Sequence, residues 1–333
     1  MSNPRNNDSN NGEGITWISP QSLIQLRLQA NKISLNKSII HAKQGGAYMS
    51  SFKGRGMEFD ESRIYQAGDD IRNMDWRVTA RTGTAHTKVF REERERPVLL
   101  CLDLNASMMF ATRNKFKSVI AAKLATLIAW SAAKNNDRIG GLIFSSDEHH
   151  EIKPRRGKTA VLDFIGRIAK HKSWHKALSA ANNKLETSSS KRNMATAIAR
   201  LHKVTHPGSL VFMISDFRNM DEKAYSHLAN VARHNDIVLI KITDPIELDL
   251  PDSGSYKLTD GKNEVQIQTS SNKTRNKYHQ RFTESNEQLE KFCRQNRIHL
   301  VHISTSDNAL EKLCGSLGMN NNKRHKVRSA TSL

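Results

Sequence analysis

Cysteine is scarce in this sequence: Cys101, Cys293 and Cys314 are the only three in 333 residues. Three thiols cannot all pair within one chain and no CxxC occurs, which argues against a disulfide scaffold and a thiolate zinc site. Long apolar runs are missing as well. No stretch approaches the ~18–20 uncharged apolar residues of a membrane span. Residues 1–14, MSNPRNNDSNNGEG, hold no apolar h-region, so no secretory signal is expected and the chain reads as cytoplasmic. Acidic residues are the remaining shortage: 33 Asp+Glu face 52 Lys+Arg, a formal charge of +19 with pI near 10.0. The tail Lys323, Arg324, Lys326 and Arg328 supplies only +4 of it, so the excess belongs mostly to the folded part. That balance fits an anionic partner such as nucleic acid, a lipid surface or an acidic protein. It equally fits a solvated basic surface without a dedicated ligand.

What remains is a globular profile on the polar side, long enough for one α/β domain of about 200–250 residues with appendages. Residues 1–15 are Asn-rich and expected to be disordered, as is a basic tail over 318–333. Ser19-Pro20 gives an N-cap with proline at the first helical position, and Leu23, Ile24, Leu26 and Leu28 supply a short helix. Residues 16–96 read as that helix followed by a β-rich segment, in which Trp76–Arg81 and Ala85–Phe90 are expected as a hairpin about Thr82-Gly83-Thr84.

From Pro97 the pattern changes. Val98–Leu102 is a continuous apolar run ending in Asp103, as in a parallel strand buried on both faces. A helix over Lys115–Lys134, a strand Arg138–Phe144 and helices Lys158–Lys170 and Met194–Val204 are expected next. They are followed by strand Ser209–Ser215, helix Asp221–Arg233 and strand Ile237–Ile242. A hairpin insertion at about 245–272, with strands Ser255–Thr259 and Glu264–Gln268, interrupts the alternation. Helix Lys277–Arg294, strand Ile298–Ser304 and helix Asn308–Leu317 complete it. The prediction for 97–317 is therefore an α/β domain with a doubly wound, mostly parallel sheet. Asp103 and Asp216 stand just beyond two strand ends, where open α/β sheets bind ligands.

Gly68-Asp69-Asp70-Ile71-Arg72-Asn73-Met74-Asp75-Trp76-Arg77-Val78-Thr79-Ala80-Arg81, followed by Glu92-Glu93-Arg94-Glu95-Arg96-Pro97, closely resembles the signature block of the DUF58 family. The resemblance continues through Asp103–Met108, Lys115-Phe116-Lys117, Asp137–Gly140, Ser215-Asp216-Phe217, Thr243–Leu248, Leu250-Pro251-Asp252 and Thr259-Asp260-Gly261, covering about residues 40–315. It implies an N-terminal β-rich segment joined to a von Willebrand factor A-like, Rossmann-like domain. Members of the family are typically encoded beside MoxR-type AAA+ ATPases and are thought to act with them as adaptors. The expectation is thus a non-enzymatic protein-binding adaptor whose partners are such an ATPase and its client protein. Binding of nucleic acid or an anionic surface is the alternative, and a metal-dependent hydrolase ranks last for want of a nucleophile.

The A-domain's metal site has the form Asp-x-Ser-x-Ser, with a threonine and a second aspartate from later loops. Asp103, Ser107 and Asp216 match, as residues that would hold Mg²⁺, and Asn105 replaces the first serine. Where the threonine should stand, the chain reads Lys191-Arg192-Asn193-Met194, and the arginine opposes a bound cation. A degenerate site, its aspartates held by protein donors, is the expectation.

Asp69, Asp70 and Asp75 are interleaved with Arg63, Arg72, Arg77 and Arg81. They read as a structural ion-pair network rather than an acid/base site, with Trp76, Glu93 and Arg94 in the same signature. Gly157-Lys158-Thr159 lacks the glycine of a Walker A loop, since Ile152 stands there, so no intrinsic ATPase is expected. His171/His175 and His202/His206 have i,i+4 spacing, but lysine stands where HExxH needs glutamate. Both pairs are expected on an exposed basic face. Gly315-Ser316-Leu317-Gly318 is not a nucleophile elbow. Cys101 is expected to be an inert core residue.

Overall fold

The computed structural model describes residues 12–33, 35, 57–92, 96–112, 114–175, 194–218, 220–248, 254–259, 264–268 and 272–317. Residues 1–11, Glu93, Arg94, the 191–193 segment, 250–252, 260–261 and the basic tail lie outside them, with whatever was expected of each. The chain divides into two compact units, one of residues 47–95 and one of residues 1–46 with 96–333. That differs from the expected 16–96 segment. Helix α1 (Pro20–Gln25) belongs to the larger unit, where Ile18, Leu23, Ala30, Ile33 and Leu35 are buried in its core. The Ser19 side chain accepts from Ser22 N and proline opens the helix, as its sequence predicts.

In the smaller unit, β1 (Met57–Ile64) pairs antiparallel with β2 (His86–Glu92), Ile64 opposite His86. The expected strand Trp76–Arg81 is instead helix α2 (Trp76–Thr82). The Asp75 side chain caps it, accepting from Val78 N at 3.2 Å. Gly83, at φ +73°, ends it in the left-handed region and donates its N–H to Thr79 O at 2.9 Å. Two good caps outweigh the β propensity of Trp, Val and Thr in so short a piece, and the Thr-Gly-Thr turn is a helix terminus.

The larger unit is built on β3 (Pro97–Asp103), α3 (Lys117–Lys134), β4 (Arg138–Phe144), β5 (His149–Arg155), α4 (Lys158–Ala169), α5 (Met194–Val204) and β6 (Leu210–Ser215). After these come α6 (Glu222–Ala232), β7 (Asp236–Thr243), the single turn α7 (Pro245–Leu248), β8 (Ser255–Thr259) and β9 (Glu264–Gln268). Helix α8 (Asn272–Gln295), β10 (His299–Ser304) and α9 (Ala309–Ser316) close the unit. Six strands form one sheet in the order β10-β7-β6-β3-β4-β5, parallel except for β5, which runs against β4; β8 and β9 pair separately as an antiparallel hairpin. The polar edge strand β5 escaped the sequence reading because only Ile152 of its seven residues is buried.

Alternation along β3 explains why helices cover both faces. Val98, Leu100 and Leu102 enter a core with α1, α3, α4 and α9, whereas Leu99 and Cys101 enter a second core with α5, α6 and α8. Cys101 is buried and its thiol pKa is pushed well above the ordinary range by that burial, so it is a packing residue. Gly141 lies opposite Leu100, and a Cβ there would sit 2.0 Å from the Leu100 carbonyl oxygen. At φ +151° it permits an approach of β4 to β3 that no side chain would allow.

From β3 the chain passes to β4 on one side and later returns to β6 on the other. The loops after β3 and β6 therefore part at the topological switch point. Among the described residues no helix is long and apolar enough to cross a membrane.

Candidate functional site

The switch point brings Asp103, Asn105, Ser107 and Asp216 together. Asp103, the last residue of β3, is buried; its Oδ2 accepts from Ser215 Oγ at 2.6 Å, and its Oδ1 accepts from Asn105 N at 2.9 Å and Asn105 Nδ2 at 2.7 Å. Ser107, in the turn that follows, donates its hydroxyl to Asp216. Asp216 Oδ2 also takes the Lys117 ammonium at 2.9 Å, and the same ammonium donates to Glu247 Oε1 at 2.7 Å. Arg218 completes the group, 2.7 Å from Glu247 Oε1 and 3.7 Å from Asp216 Oδ2.

Lys117, Asp216 and Glu247 are all at most 3 % exposed. Full desolvation of three charges is costly unless each is paired and hydrogen-bonded. Here Asp216 and Glu247 bind Lys117 and Arg218 directly, with Lys241 close enough to act on both carboxylates, while Asp103 is held by the neutral donors Ser215 and Asn105. Burial, with the Asp216 charge behind it, raises the Asp103 pKa to about 7. For Asp216 burial also works against the charge. The Lys117 ammonium, together with Arg218 and the Ser107 hydroxyl, outweighs it and holds the carboxyl below the ordinary range.

A fourth buried carboxylate supports this edge from the side. Asp244, after β7, accepts from Thr112 N at 3.0 Å, Thr305 Oγ1 at 2.7 Å and the Thr112 hydroxyl. Its N–H donates to Glu247 Oε2 at 3.0 Å, so the loops after β3, β7 and β10 are laced to the charged group.

Mg²⁺ is the ion that the expected metal site would take, and the donors present do not fit it. Both Asp103 oxygens are occupied by hydrogen-bond donors, Asn105 presents its NH₂ rather than its carbonyl oxygen to Asp103, and an ammonium bridges Asp216 and Glu247. A divalent cation would have to expel Lys117 from a site where it is fully buried. Chemically the arrangement is a closed ion-pair cluster. Its hydroxyls, Ser215 and Ser107, donate to the Asp103 and Asp216 carboxylates, and Ser215 is buried.

Sequence reading assigned no role to Lys117, Arg218 or Glu247. One signal was present: a lysine in the first turn of a helix opposes the macrodipole, and Lys117 opens α3 without a side-chain cap. Its position is explained by the two carboxylates it reaches.

The signature carboxylates of the smaller unit behave differently from the expected network. Asp69 pairs with Arg63 at 2.6 Å and accepts from Gln66 N at 2.9 Å; these contacts, the Gln66 N–H first, hold its pKa below the ordinary value. Asp70 accepts from Arg72 N at 3.0 Å. Asp75 accepts from Ser62 Oγ at 2.7 Å and caps α2. The Asp69–Arg63 pair is of the expected kind, the other contacts are local caps, and among the described residues no ion pair joins Arg72, Arg77 or Arg81 to a carboxylate. Each of those arginines is exposed, as are Ile71 at 65 % and Trp76 at 66 %. His171 departs from expectation too: it is buried after α4, while His175, His202 and His206 are exposed.

Comparison with known proteins places the chain. Uncharacterised proteins of Mycobacterium bovis and of two strains of Mycobacterium tuberculosis are each 30 % identical to it over 220 residues. The match takes in 66 % of this chain and 65 % of theirs. The chain thus spans about 65 % of the length of these curated relatives. Among solved structures, the conserved hypothetical protein BatB from Bacteroides thetaiotaomicron aligns at a TM-score of 0.37 with 14 % identity. That alignment covers 67 % of this chain and 97 % of that one. The model of the family described as protein of unknown function DUF58 matches residues 61–288, including α2 and the Asp103–Asp216 switch point, and the chain belongs to that family.

Proposed function

We propose that this protein is a non-catalytic docking module, with a von Willebrand factor A-like larger unit, that works with a MoxR-type AAA+ ATPase in assembling or maturing a client. The observation that carries the reading is the surface of the smaller unit. Trp76 and Ile71 are about two-thirds exposed, within a few residues of the exposed Arg72, Arg77 and Arg81. A largely exposed indole is uncommon on a surface with no partner, and Trp and Arg dominate interface hot spots. The arginines select an acidic partner face with an apolar recess for the indole. Cytoplasmic location and the absence of intrinsic catalysis form part of the same proposal. The switch-point cluster supports it, because Lys117, Asp216 and Glu247 are buried and engaged with one another.

Binding of nucleic acid is the second reading, and Trp76 among arginines gives it a specific basis, since bases stack on indoles beside cations. A pull-down of the tagged full chain from nuclease-treated native lysate separates the two. The docking reading expects a MoxR-type ATPase that survives a moderate-salt wash. Recovery of nucleoprotein alone, removed by nuclease or salt through counterion release, would make the +19 charge itself the function.

A further inference from the structure

We propose that Glu148, His150 and His171 form a binding site for a divalent transition metal, with zinc the best match to two imidazoles and a carboxylate. The site lies on β5 and α4, away from the charged cluster, and does not depend on the docking reading. Glu148 and His150 are two residues apart at the entrance to β5, so the pleat turns both side chains to one face. His171 reaches them from the turn after α4. The three ligand atoms lie within 4.8 Å of one another. Glu148 Oε1 is 3.5 Å from His171 Nε2 and 3.9 Å from His150 Nε2, close to the ~3.3 Å edge of a tetrahedron with zinc–nitrogen bonds near 2.0 Å.

An independent observation points into the same space. His171 Nε2 has no hydrogen-bond partner among the described residues, although its side chain is 0 % exposed. A buried polar atom left unsatisfied is costly, and a metal ion would satisfy this one.

Neighbouring groups are arranged to permit occupancy. Lys172 N donates to Glu148 Oε1 at 2.8 Å and orients the carboxylate. The Lys172 ammonium, 3.5 Å from Glu148 Oε2, is 76 % exposed and turns readily into solvent. Coordination through Nε2 moves the ring proton to Nδ1, and the long 3.3 Å contact from Ser173 N is given up. Glu148 and His150 line a groove of about 530 Å³ with Leu162, Asp163, Arg167 and Lys170, which leaves the fourth position to water. Three protein ligands and one open place make an exchangeable site rather than a closed structural one.

The test uses the full chain, stripped with chelator and titrated with Co²⁺ by visible absorption and with Zn²⁺ by calorimetry. One equivalent is expected to bind, with the ligand-field band of tetrahedral cobalt. Glu148→Gln and His150→Gln, both at partly exposed positions, are expected to weaken it by about 100-fold or more. The double variant His202→Ala/His206→Ala is expected to bind like the wild type. No binding by the wild-type chain, or binding that persists in both the Glu148 and His150 variants, would overturn the assignment.

Discussion

Lys117→Met is expected to lower the stability of the larger unit by about 3–5 kcal/mol, the cost of breaking a buried ion pair from one side. The side chain is fully buried between Asp216 and Glu247, and removing its charge leaves two desolvated carboxylates with only the partly exposed Arg218 in direct contact among the described residues and Lys241 further off. For a unit of this size that amounts to a fall in Tm of roughly 10 °C. Adding Asp216→Asn and Glu247→Gln to the methionine variant removes the uncompensated charges and is expected to recover most of the loss, because an ion pair replaced as a whole is often neutral. Denaturant unfolding of the three proteins checks both statements. A single-variant loss below about 1 kcal/mol would mean that the carboxylates find other donors. Because the ammonium holds the position a cation would need, millimolar Mg²⁺ is expected to leave the wild-type Tm unchanged. A saturable rise abolished by Asp216→Asn would contradict that.

Asp103→Asn is expected to stabilise the protein at alkaline pH. The folded pKa of Asp103 is raised to about 7, against an ordinary value of 3.8, so between those limits the folded state binds more protons than the unfolded chain. The stability that protonated Asp103 contributes is complete below about pH 3.8 and is lost as pH rises through 7. The shift corresponds to about 4 kcal/mol. Asparagine mimics the neutral acid in shape and cannot ionise, so the variant lacks this loss. His171 acts in the opposite sense. Its pKa is lowered to about 4 from 6.5, so the destabilisation it causes grows as pH falls through that interval. The wild-type profile alone therefore blurs the two, whereas the difference between variant and wild type isolates Asp103. That difference is expected to be small at pH 4 and to grow to several kcal/mol at pH 8. A difference that does not change with pH would show that Asp103 is ionised throughout.

Most of the larger unit was legible in its sequence because continuous apolar runs can be little else than buried parallel strands. Val98–Leu102, Leu210–Ser215 and the paired elements of the insertion stand where periodicity puts them. Local caps decided the main error. Trp76–Arg81 has strand-like composition, and the Asp75 and Gly83 contacts that make it helical are visible only as two residues at the right spacing. Strand β5 was missed because a sheet edge carries little burial signal. The switch-point residues Asp103, Asn105, Ser107 and Asp216 could be read from their place at strand ends. The lysine that bridges Asp216 to Glu247 could not, because the residues it joins are 99 and 130 positions away. Likewise His171 is drawn toward Glu148 by the packing of α4 on the sheet, which no spacing of histidines records.

The most direct test of the docking account is a calorimetric titration of the full chain with a purified MoxR-type AAA+ ATPase, comparing wild type with Trp76→Ser. Trp76 is 66 % exposed, so the substitution is expected to leave the Tm unchanged. The account predicts saturable binding at moderate salt, weakened roughly 30-fold by Trp76→Ser, the effect of losing an interface hot spot of ~2 kcal/mol. Equal affinity of the two proteins for the ATPase, or no binding by either, would contradict it.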